Sequence, residues 1–103
     1  MRYIVRFQIP MDAGNKALSD PKFGEKLQKI LTKMKAEAAY FTTVNGQRGG
    51  YIVVSFDDAS KIPAIAEPLF LWLKADVEFI PVMLIEDLAK AGPAIAEAVK
   101  KWG

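Results

Sequence analysis

Arg6 and Glu78 are the two residues whose types and places most suggest chemistry. Each lies in a segment where polar and apolar residues alternate, and the expected strand order sets those segments side by side. A carboxylate beside a guanidinium can abstract a proton α to a carbonyl, with Tyr40, Tyr51 or Ser55 donating a hydrogen bond to the enolate. That would be the work of a cofactor-independent isomerase or monooxygenase, with Glu78 and Arg6 catalytic. The same pair also reads as a cross-strand salt bridge satisfying two half-buried charges. Gln8 and Thr42 extend the polar set as candidate ligand contacts. Phe70 and Trp72, in "LFLWL", are candidate contacts for a small aromatic or aliphatic ligand, with core packing as their other use.

What the chain lacks narrows the field. Its 103 residues include no cysteine and no histidine. Disulfides and thiolate chemistry are excluded, as are the usual general base, haem ligand and zinc ligand. A metal site would need carboxylates alone, and no Asp-x-Asp-x-Asp loop occurs; no metal or cofactor is expected. Asp57 and Asp58 read as turn and helix-capping residues. The net charge is only +2, from 14 basic and 12 acidic residues spread along the chain, so no nucleic-acid partner is indicated. Arg2 and Arg6 interrupt the apolar N-terminal run, which therefore does not read as a signal peptide. "IPAIAEPLFLWL" is too short to span a membrane, and the expected location is cytoplasmic. A hydrophobic share of 51% is high for a small soluble domain and suggests an interface or an apolar pocket.

The elements that must position these residues follow from periodicity. Tyr3, Val5, Phe7 and Ile9 alternate with Ile4, Arg6 and Gln8, predicting a strand that Pro10 ends. After a short polar connection, Asp20 and Pro21 open a helix with the stripe Phe23, Leu27, Ile30, Leu31 and Met34. "AAYFTTV" and "YIVVSFDD" are strands joined by "NGQRGG". That loop leads into a strand and lacks Gly-Lys-Ser/Thr, so it is no phosphate cradle. It also lacks the stacking aromatics of an RNA-reading sheet, since Val53, Arg6 and Gln8 stand where rings are needed. A hairpin turn remains, with Arg48 pointing into water. "SKIPAIAEPLFLWLKA" is a second helix, capped by Ser60 and broken or kinked at Pro68. "VEFIPVML" is a fourth strand, with Pro81 favouring an edge. Residues 92–102 form an amphipathic helix that would dock over a sheet edge or a partner subunit.

The order β-α-β-β-α-β plus a C-terminal helix predicts a single α+β domain over 1–103, ferredoxin-like, with an antiparallel sheet ordered 4-1-3-2. One face collects Tyr3, Val5, Phe7, Ile9, Phe41, Ile52, Val54, Phe56, Val77 and Phe79 and belongs under the helices. The other mixes Arg6, Gln8, Tyr40, Thr42, Tyr51, Ser55 and Glu78 with Val53, Ile80 and Val82. Such a half-polar face invites a second copy, so a homodimer or higher oligomer is expected. "EPLFLWLKADVEFIPVML" and the element order resemble the dimeric α/β-barrel superfamily, near its small bacterial muconolactone-isomerase-like members and a group of uncharacterised bacterial proteins. An insertion around Leu73–Lys74 departs from the isomerase pattern. The resemblance implies two sheets closed into a barrel. With the residues, it gives the expectation of a small molecule, partly apolar and anionic, bound by a homodimer that is either an enzyme or a non-catalytic sensing or assembly module.

Overall fold

A computed structural model describes all of residues 1–103. Its elements are β1 (Arg2–Gln8), α1 (Met11–Leu18), α2 (Phe23–Lys33), β2 (Ala38–Val44), β3 (Gln47–Ser55), α3 (Lys61–Leu73), β4 (Asp76–Val82), α4 (Ile85–Lys90) and α5 (Gly92–Trp102). The strands form one antiparallel four-stranded sheet ordered β2-β3-β1-β4, the expected order read from the other edge. This α+β arrangement is compatible with a ferredoxin-like fold. No helix is long and apolar enough to cross a membrane.

β1 lies at the centre of the sheet, and its alternation sorts the two faces. Val5 and Phe7 are buried with Ile52 and Val54 of β3, under Ile65, Leu69 and Leu73 of α3. Tyr3, Phe56 and Phe79 close one end of this core: Tyr3 stacks on Phe56 at 4.4 Å, and Phe79 meets both rings edge-on. Phe41 is an exception to the expected layering. It points to the helix side but stays 55% exposed, because β2 is an edge strand that no helix fully roofs.

The hairpin is tighter than its six-residue sequence suggested. Val44 pairs with Gln47, and only Asn45 and Gly46 turn the chain, both at positive φ (51° and 79°). Gly49 and Gly50 belong to β3 and answer a different demand. A Cβ on Gly49 would overlap the Phe7 carbonyl oxygen, and one on Gly50 the Tyr40 carbonyl oxygen. Arg48 does not point into water: its Nη1 donates to Asn15 Oδ1 at 3.0 Å.

Four other expectations need correction. The polar connection Met11–Leu18 is a helix; its buried face is built from Gly14 and Ala17, residues too small to print an apolar stripe. Asp20 does not cap α2, which starts at Phe23; its carboxylate accepts the Lys22 N–H in the preceding turn. Ser60 already has helical angles and makes no side-chain cap, and Asp58 accepts the Ser60 N–H instead. α3 runs unbroken through Pro68, held on either side by Ala66 and Leu69 against the core. Within "LFLWL", Leu71 is 79% exposed.

The tail departs most from compactness. α4 and α5 pack on little but each other and project from the body. The radius of gyration is 17.3 Å, against about 13 Å for a compact chain of this length. The C-terminal helix forms as expected, but it covers no edge of its own sheet.

Gly50→Ala is expected to lower stability by about 2 kcal/mol or more in urea unfolding, because backbone must move. Gly24→Ala, where an added methyl meets nothing, is expected to raise it by up to about 1 kcal/mol. Equal responses would contradict the close approach of β2 to β3.

Candidate functional site

Register decides which candidate residues meet. Glu78 lies opposite Arg6, Arg6 opposite Tyr51, and Tyr51 opposite Tyr40. These residues form one row across all four strands, on the face that no helix covers. Gln8 and Thr42 occupy the next row, on either side of Gly49, with Asp76 beyond Gln8. Toward the other end, Ile4, Val53 and Ile80 make an apolar row. The face is therefore polar toward Gln8 and Asp76, apolar through the Ile4 row, and polar again at Arg2 and Ser55.

Arg6 Nη1 stands 3.8 Å from Glu78 Oε2, a loose single contact. The Glu78 side chain is 59% exposed and that of Arg6 32%. In the protomer the pair is an open cross-strand ion pair, worth little to stability, and its guanidinium keeps donors free for another acceptor. A polar cleft of about 400 Å³ opens beside it, lined by Arg6, Gln8, Asn45, Asp76, Val77 and Glu78. Gln8 is fixed there at both ends of its amide. Its Nε2 donates to Gln47 Oε1 at 2.8 Å, and its Oε1 accepts from Asn45 Nδ2 at 2.9 Å. Asn45, Gln47 and Asp76 were missed as site residues. The turn residues Asn45 and Gln47 reach Gln8 only through the β1–β3 pairing, which needed the register to be known.

Ser55 stands apart from this site. It pairs with Arg2, four residues along β1 from Arg6 and about 13 Å away, and its hydroxyl donates to the Met1 carbonyl oxygen. Phe70 and Trp72 lie on α3, in the layer across the sheet. Trp72 packs on Phe23 at 5.3 Å, with Lys26 Nζ 5.2 Å from its ring, so it ties α3 to α2. Asp57 accepts from the Met1 amino group, and Asp58 from the Ser60 N–H. Each aspartate is held below the usual carboxylate range, first by those hydrogen bonds.

The strongest ion pair on the sheet is elsewhere. Arg2 holds Glu37 with two hydrogen bonds, Nε to Oε2 at 2.7 Å and Nη2 to Oε1 at 2.8 Å. The hydrogen bond first, and the opposite charge after it, lowers the Glu37 pKa and raises that of Arg2. Because the folded-state pKa of Glu37 is depressed, this stabilisation is present above its unfolded value near 4.5 and lost as pH falls through the folded one.

No protein-family model matches the chain, and none of the curated proteins matches it.

Glu37→Gln is accordingly expected to weaken the acid-side dependence of stability below pH 4.5, read from melting temperatures across pH 2–7. Wild-type and variant curves that stay parallel through that range would remove the Arg2–Glu37 pair as its source.

Proposed function

We propose that the chain acts as a homodimer whose open sheet faces close on each other, and that the chamber so formed binds a small, partly aromatic anion on Arg6. One observation carries this reading: the continuous row Glu78–Arg6–Tyr51–Tyr40 on a sheet face that its own chain leaves uncovered. Half-buried Ile4, Val53, Ile80 and Val82 beside that row give the face apolar surface, a reason to meet another sheet. Two sheets packed face to face are the arrangement of the dimeric α/β barrels that the sequence resembles, and their twist keeps the strands near alignment.

The ligand class follows from the row. Arg6 carries a planar fork of donors engaged by one loose carboxylate contact, which suits a second carboxylate. Tyr51, opposite it, and Tyr40 beyond offer flat ring faces to an aromatic or unsaturated body. In the protomer the Glu78 side chain is 59% exposed and serves as a solvated ion-pair partner, so ligand binding without catalysis is the first reading. The second is a cofactor-independent isomerase or oxygenase. It draws on the 3.8 Å approach of Glu78 to Arg6, because closure of a second sheet would desolvate that carboxylate beside a cation able to stabilise an enolate.

Calorimetric titration of the full chain with phenylacetate, and with benzyl alcohol as its uncharged counterpart, tests the reading. The carboxylate is expected to bind more tightly. Arg6→Met should weaken it about tenfold or more, with little change for the alcohol. Equal affinities, or an unaffected variant, would remove Arg6 as the anion contact. If a substrate turns over, Glu78→Gln separates the readings: loss of turnover with retained binding makes the protein an enzyme, and retained turnover excludes Glu78 as the base.

A further inference from the structure

Arg48, at the start of β3, carries a charge that no acid of the chain neutralises. It belongs to none of the ion pairs, and the groups it meets, Asn15 Oδ1 at 3.0 Å and the Met11 sulfur, are neutral. Strand alternation puts it on the helix side of β3, with Gly50, Ile52 and Val54. There α1 leaves room for it. A Cβ on Gly14 would stand 2.8 Å from Arg48 Nη1, so the guanidinium occupies space that a side chain would take. The half-buried arginine is thus placed by the packing of β3 on α1 and not by an acidic partner.

This charge borders an apolar cleft. The cleft, of about 340 Å³, lies between α2 and β2 on the helix side, lined mainly by Phe7, Phe23, Leu27, Phe41 and Leu73. Arg48 completes the lining, and no acidic residue belongs to it. Phe7 and Phe41 stand in one row of the sheet with Gly50 between them, and across that missing side chain their rings meet edge-on at 6.3 Å. Phe23 and Leu27 come from successive turns of α2 and stay half-buried, while Phe41 is exposed. The protomer therefore leaves apolar surface open beside a cation.

We infer that this cleft is a second binding site, for a small monocarboxylate with an apolar body: the carboxylate meets Arg48, and the body lies against Phe41, Phe23 and Leu27. The ligand class follows from the lining. An uncharged apolar molecule would cover the rings but leave the guanidinium without a counter-charge. A hydrophilic anion such as phosphate would do the reverse, and an ammonium would be repelled. Small-molecule sites run from about 300 to 1,000 Å³, so a cleft near the lower limit suits a medium-length chain better than a long acyl chain. The cleft lies across the sheet from Arg6 and needs only one copy of the chain. It is therefore independent of both the anion contact and the dimer proposed above.

Trp72 packs on Phe23, a wall of the cleft, so its fluorescence reports occupancy once Trp102→Phe has removed the other, exposed tryptophan. Octanoate is expected to change that emission saturably, and octylammonium to bind about tenfold more weakly or worse. Arg48→Met, which keeps the aliphatic stem, should weaken octanoate about tenfold or more and bring the two ligands to similar affinity. If loss of the Asn15 contact unfolds that variant, Phe41→Glu gives the same reading from an exposed position, because a carboxylate at the cleft should weaken octanoate by a like factor. No response to octanoate, equal binding of the two ligands, or an octanoate affinity that both variants leave unchanged overturns the site. So does a response that Arg6→Met abolishes and Arg48→Met spares, since that binding would belong to the open face.

Discussion

The alternation of β1 is the constraint on which the rest depends. It is an inner strand, paired with β3 on one side and β4 on the other, and its neighbours' faces must match its own. Val5 and Phe7 have to be buried, and with a side-chain period of two that forces Arg6 and Gln8 through to the opposite face. Slipping the register by one residue would bury Arg6 beneath α3 without a partner and expose the core. Hydrophobic burial on one face thus fixes where the polar row stands, before any functional demand acts on it.

The same economy leaves the protomer thin. Only 15 of its 103 residues are buried, and α2, α4 and α5 contain none of them. Half the sheet surface and the whole arm are left to solvent or to another molecule. A chain with 51% hydrophobic residues that buries so few has apolar surface to spare. Self-association answers this most simply, since one surface and its symmetry copy are covered in a single step.

How much could be read beforehand depended on how each feature is encoded. Strands with strict alternation, the Asn45-Gly46 turn and the Phe23–Met34 stripe carry their signals locally, and all were legible. α1 was not, because its buried positions are Gly14 and Ala17, and its Gly and Asn resemble a loop. The Arg6–Glu78–Tyr51–Tyr40 face was legible from strand order alone. The polar cleft beside it was not, since Asn45 and Gln47 join Gln8 only through long-range register. Arg48 looked solvated because its acceptor, Asn15, lies on the helix that local pattern failed to reveal. The projection of the arm could not be read either: an amphipathic helix declares an apolar face, but not whether its own chain will cover it.

The central claim is that a second copy covers the open sheet face. Sedimentation equilibrium of the full chain, from low to high micromolar concentration, tests this most directly. One species of twice the protomer mass is expected. A protomer mass that persists to the highest concentration would contradict it, and the polar row would then be simply a solvated face.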